Sequence, residues 1–169
     1  MEAAAPSRLS LAMTWTVIAL SAVLTLLGFA WYGVSWQIHE RFWSDVFGRL
    51  HGPMTIRFYL QPTLAFVAAV KDGIKDARYG HKSFFWTALR DPAQHRGRLR
   101  EGLIATSQMA LIGFTMDTIY QFREFERFYP AEAVMMVLLL AIIPYFLFRW
   151  LVEYAARWWF ARTGAASTS

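Results

Sequence analysis

The chain has no cysteine. Disulfides, thiolate metal sites and cysteine nucleophiles are all excluded by that one absence. Charge is scarce as well, at 17% of 169 residues, against about 25% in an ordinary globular chain. No hydrolase elbow, phosphate-binding glycine loop or zinc signature is present. The four histidines, His39, His51, His81 and His95, are scattered. No two have helical ligand spacing and none falls inside a long apolar run, so no metal, haem or other cofactor is expected. No span is glycine-rich enough for a strong dimerisation face, although Ala110 and Gly113 would allow close packing. There is no internal repeat or low-complexity tract.

What the chain does have is apolar bulk. Hydrophobic residues make up 56%, including 8 Trp, 7 Tyr and 14 Phe. A soluble fold of this length offers too little interior for so many large side chains, whereas in a bilayer the outward residues can be apolar too. The net charge of +5 sits beside apolar segments, which suits anionic lipid headgroups rather than nucleic acid.

The pattern predicts an all-α, single-domain membrane bundle of four helices over residues 1–169. The first span, about 11–34, carries no charge and has Trp15, Trp31 and Tyr32 near its ends. It is longer than a signal-peptide core and lacks a clear cleavage site, so it reads as a retained span. Residues 35–50 form an amphipathic helix, with Trp36, Ile38, Phe42, Trp43, Val46, Phe47 and Leu50 on one half and Glu40, Arg41, Ser44, Asp45 and Arg49 on the other. It is expected to lie in the membrane interface or to pack on the outer end of the bundle. After Gly52-Pro53 comes a short second span, about 54–70, carrying Arg57 and Gln61. Its helix continues through Lys71, Asp72, Lys75 and Asp76 toward Gly80, and Pro62 should bend it. A basic loop covers 71–101, with an aromatic anchor at Ser83-Phe84-Phe85-Trp86. Asp91-Pro92 starts a helix that runs through Arg96, Arg98 and Arg100 into the third span, about 102–120. The fourth span, about 131–148, contains Pro144 and emerges through an interfacial tail, 149–162, rich in Trp, Tyr and Arg.

With the N-terminus inside, the inner segments hold twelve Lys and Arg and the outer segments four, Arg41, Arg49, Arg123 and Arg127. That bias places both termini in the cytoplasm. A three-span arrangement, omitting the short second segment, would weaken it.

Ionisable groups inside a span are costly and often functional. Arg57 lies about one turn into the second span and Asp117 about one turn from the end of the third. The topology puts both near the outer face, and they are expected to pair. Gln61 is i+4 from Arg57 and Gln121 is i+4 from Asp117, so a polar cluster of Arg57, Gln61, Asp117, Tyr120 and Gln121 is expected there. It would be either a register-fixing ion pair or a binding site. Asp72 and Asp76 form a second, cytoplasmic candidate, because carboxylates at i, i+4 can hold a cation or do acid–base work. Lys71 and Lys75 interleave with them, and a solvated face of local ion pairs is the simpler reading.

The run Arg57-Phe58-Tyr59-Leu60-Gln61-Pro62, the run from Lys71 to Arg78, then Asp91-Pro92 and Met116-Asp117-Thr118-Ile119-Tyr120-Gln121 resemble a pattern in small multi-pass membrane proteins of bacteria that have no assigned activity. The resemblance covers about residues 53–130 and implies a bacterial source, so the expected location is the inner membrane of a bacterium. Three functional classes stay open: an accessory or scaffold component of a larger membrane complex, a small oligomeric transporter or channel, and a lipid-acting membrane enzyme.

Overall fold

A computed structural model describes residues 6–33, 35–49, 55–78 and 92–163, and among them every element is helical. The helices are α1 (Arg8–Tyr32), α2 (Trp36–Arg49), α3 (Ile56–Arg78), α4 (Pro92–Glu124), α5 (Pro130–Val137) and α6 (Ile143–Thr163), with a π-helical turn, Leu138–Ile142, joining the last two. Gly52-Pro53, Gly80, His51, His81, the 83–86 aromatic segment and Asp91 lie outside the described residues, as do the side chains of His95, Arg96 and Arg98.

Local chemistry sets the boundaries. The Ser7 hydroxyl oxygen accepts from the Ser10 N–H at 3.1 Å and caps α1. Gly33, at φ +70°, ends the helix and donates its N–H to the Phe29 carbonyl at 2.9 Å. Proline opens both α4 and α5. The π turn has a cause in the sequence. Pro144 has no N–H to return to Leu140, and just before it the Ile143 N–H reaches the Leu138 carbonyl five residues back. The irregularity that Pro144 imposes is therefore taken up in the preceding turn.

α3 packs along α6, and α1 packs on α4 and α5. Small residues permit the close approaches. A Cβ on Gly28 would lie 2.5 Å from the Ala131 Cβ, and one on Gly73 would lie 2.9 Å from the Arg149 carbonyl. One apolar cluster joins Val17, Leu24, Ala110, Phe114, Ala133 and Val137 across α1, α4 and α5. A second joins Ala65, Ala69, Met109, Ala141 and Tyr145.

Among the described residues two helical runs, not four, are long and apolar enough to cross a membrane: Arg8–Tyr32, with mean hydropathy 1.9, and the continuous Pro130–Thr163, with 2.3. Only 22% and 33% of these apolar windows is buried, unlike the core helices of a soluble domain. α3 and α4 fall short because each carries a polar stripe. In α3 that stripe is Arg57, Gln61 and Asp76; in α4 it is Thr106, Ser107, Asp117 and Gln121. Every one of these polar residues is buried.

The apolar half of α2 is divided. Trp36, Trp43 and Phe47 point outward, while Phe42 is buried against Met136 and Leu140. Arg41, expected on the solvated half, turns to the bundle because Glu132 is buried there and binds it.

Candidate functional site

The buried charges gather into two networks at opposite ends of the bundle. At the end that carries α2, the Arg57 Nη1 lies 2.8 Å from the Asp117 Oδ1, joining α3 to α4. Both side chains are almost fully buried, at 2% and 1% exposure. The Arg57 guanidinium also sits 5.1 Å from the Tyr120 ring centre and 5.5 Å from that of Phe58. The Gln121 amide donates to the Asp117 Oδ2 at 2.5 Å, and its carbonyl accepts the Tyr129 N–H at 2.6 Å. Gln121 thereby fixes the carboxylate and also ties the chain reversal between α4 and α5. Gln61 lies over Gly113, where a Cβ would come within 2.8 Å of its Nε2. All five residues expected in this cluster are buried at this end.

Glu132, Arg41 and Tyr129 extend the network in a way the sequence did not suggest. Arg41 pairs with the Glu132 carboxylate, and its guanidinium lies 3.7 Å from the Tyr129 ring centre. Tyr129 in turn meets Tyr32, at 4.8 Å between ring centres.

The opposite end is organised around Arg149, which is fully buried. Its Nε donates to Asp76 of α3 at 2.7 Å, its Nη2 to Glu101 of α4 at 3.0 Å, and its Nη1 to the Tyr145 hydroxyl at 2.9 Å. Tyr145 then donates to Asp72 of α3 at 2.7 Å. One guanidinium therefore draws three helices together, using the fixed fork of donors that distinguishes arginine from lysine. A turn further on, buried Glu153 accepts from Arg157 at 3.0 Å.

This arrangement corrects two readings. Asp72 and Asp76 are not a solvated face: Asp76 is buried, and both carboxylates are engaged from α6, while Lys71 and Lys75 point outward. Arg149 is not part of a headgroup-facing tail but the centre of the buried network. The signal lay in the spacing. Tyr145, Arg149, Glu153 and Arg157 recur every four residues and so share one helix face, as do Arg57, Gln61, Ala65, Ala69 and Gly73 on α3.

The remaining candidates bear less. The His39 Nε2 accepts the Trp43 indole N–H at 3.0 Å. No group of three potential metal ligands occurs among the described residues. No family model, no curated protein and no solved structure matches the chain.

Proposed function

We propose that the chain is a multi-pass protein of a bacterial inner membrane, crossing four times with both termini in the cytoplasm, and that it serves as an accessory or scaffold component of a larger membrane complex. The observation that carries the reading is the inverted polarity of α3. Its inward stripe is Arg57, Gln61 and Asp76, whereas Ile56, Tyr59, Leu60, Leu64, Phe66 and Val67 are exposed. In water both faces would be misplaced. In lipid the outward face is solvated by acyl chains, and the charges find their partners inside.

The spacing of the two networks supports the same view. Arg57 and Asp76 are nineteen positions apart, about 29 Å at 1.5 Å per residue. Asp117 and Glu101 are about 24 Å apart on α4, and Glu132 and Arg149 about 26 Å apart along the last helical run, by the same rise. A bilayer core is about 30 Å thick. Each network would then sit close to one hydrocarbon boundary, with α2 on the outer side. The Lys and Arg bias favours that orientation, and the inner cations would meet anionic headgroups.

The scaffold reading rests on how the charges are matched. Each network joins helices to one another, and Ala65, Ala69, Met109, Ala141 and Tyr145 pack the space between the two. Matched polar pairs across helices act as interhelical glue. A second reading, a small oligomeric transporter or channel, draws on the Arg57/Asp117 cluster and on the prolines within α3 and at the start of α6. It requires that packed layer to open. A lipid-acting enzyme would draw on Asp72 and Asp76, both already held by Tyr145 and Arg149.

Two experiments test this. The chain is naturally free of cysteine, so single cysteines at Ser44, Arg127 and Gly97 report sidedness directly. A membrane-impermeant maleimide should label the first two in intact spheroplasts and Gly97→Cys only after lysis; labelling of Arg127→Cys only after lysis would refute the topology. Gentle extraction followed by native mass spectrometry should give a stoichiometric complex with another protein. A lone monomer or homo-oligomer would remove the accessory reading in favour of transport, which flux assays on Asp117→Asn would then test.

A further inference from the structure

A cavity of about 210 Å³ opens at the α2 end, between the last turns of α1, the start of α2 and the first turn of α5. Its walls are apolar, formed chiefly by Phe29, Ile38, Phe42 and Met135. A cavity of roughly 150 Å³ already accommodates benzene. What sets this one apart from a simple packing defect is the polar group at its edge. The buried Glu132 carboxylate and the Tyr129 ring both line it, and the Tyr32 ring adjoins that of Tyr129. A carboxylate behind electron-rich ring faces is a receptor for a cation.

That receptor is already filled, by the protein itself. The Arg41 guanidinium pairs with Glu132 and stacks over Tyr129 at 3.7 Å. Yet Arg41 is far more exposed than the carboxylate it pairs with, 35% of its side chain being accessible against 5% for Glu132. It is borne on a short helix that follows Gly33, a residue with φ +70° and no neighbour within 4 Å of where its Cβ would be. Asp45, one turn along α2, lies 3.9 Å from the Arg41 Nε. It offers a second carboxylate to which Arg41 can retreat. Arg41, Asp45 and Glu132 together carry a net charge of −1, so the group favours a cation over an anion.

We propose that this cavity binds organic cations, ammonium or guanidinium compounds with a compact apolar body, and that Arg41 is a tethered occupant which an incoming ligand displaces. The cationic head takes the place of the Arg41 guanidinium between Glu132 and Tyr129, and the apolar body fills the space beside Phe29, Ile38, Phe42 and Met135. The binding does not depend on which functional class the protein belongs to.

The test uses the full-length protein in maltoside micelles and two probes of the same shape, benzyltrimethylammonium and its uncharged carbon isostere neopentylbenzene, measured by calorimetric titration. For Arg41→Gln, the charged probe should bind at least tenfold more tightly than the neutral one and at least tenfold more tightly than it binds the wild type. Adding Glu132→Gln should abolish the preference for charge. Equal binding of the two probes to Arg41→Gln, or no binding of the charged one, overturns the proposal. If Arg41→Gln does not fold, the comparison of the two probes on the wild type decides, since a purely apolar pocket takes both alike.

Discussion

Replacing Asp117 by leucine leaves the Arg57 guanidinium facing an apolar neighbour at a position with 2% exposure. Two unit charges about 4 Å apart attract by roughly 4 kcal/mol at an effective dielectric constant of 20, and breaking a buried pair costs about 3–5 kcal/mol. The Tyr120 ring, 5.1 Å from the guanidinium, remains and offsets about 1 kcal/mol of that. A loss of about 3 kcal/mol is expected for Asp117→Leu. Arg57→Met should cost a similar amount, because it removes the cation that the buried Asp117 carboxylate pairs with. The double substitution Arg57→Met/Asp117→Leu removes both charges at similar volume and should come within about 1 kcal/mol of the wild type.

The assay is a double-mutant cycle on reversible unfolding, titrating dodecyl sulfate into maltoside micelles and following tryptophan fluorescence. Coupling of about 5–6 kcal/mol follows from these values, most of it the penalty of leaving one charge buried without its partner. If the two single losses simply add in the double variant, the pair contributes nothing as a pair and the reasoning fails. The double variant also separates the two leading functions. A scaffold should still assemble with its partner once the charges are gone, whereas a transporter that uses them should fold and carry nothing.

Arg149→Leu should destabilise by about 3–5 kcal/mol in the same titration, and Arg149→Lys by clearly less, since it keeps the charge but not the three-way fork; equal losses would show that the fork, and not the charge, holds the network. Gly28→Ala should cost about 1–3 kcal/mol, because the new Cβ meets Ala131 at its Cβ and also at its backbone N. Gly102→Ala should cost less, about 1 kcal/mol or below, since the atoms it meets belong to the Phe146 ring, which can swing. Gly48→Ala, in open space on α2, should raise amide-exchange protection across that helix by about 0.5–1 kcal/mol; no change would mean that α2 is not limited by its own helical stability.

The helices were legible in the sequence because each has a local signal. Asp91-Pro92 marks the start of α4, and the 3.6-residue periodicity of α3 places Arg57 and Gln61 on one face. The Arg57–Asp117 contact was legible too, since two consecutive antiparallel helices bring the start of one to the level of the other's end. The Arg149 network was not. Lys71 and Lys75 disguised Asp72 and Asp76 as a solvated face, and Arg149 sat in a run of tryptophans that resembles a headgroup anchor. Which of two interleaved charge stripes turns inward depends on what the neighbouring helix offers, and a single helix read alone does not contain that information. Arg41 was misread for the same reason: its partner, Glu132, lies 91 residues away.

The small residues between the two networks connect them. Ala65 and Ala69 are fully buried, and Gly73 lies against the Arg149 carbonyl, so α3 and α6 approach closely along their middle. That approach is what lets Asp76 reach Arg149 at 2.7 Å. The charges at the end of the helix pair therefore depend on the absence of bulk in its centre. Ala69→Leu should cost the usual overpacking penalty of about 1–3 kcal/mol and, by wedging the helices apart, part of the Arg149 network as well. The two effects share a cause, so Ala69→Leu/Arg149→Leu should lose less than the sum of the single variants. If their losses are additive in the unfolding titration, packing and pairing are independent, and the small stripe on α3 has no part in holding its ion pairs.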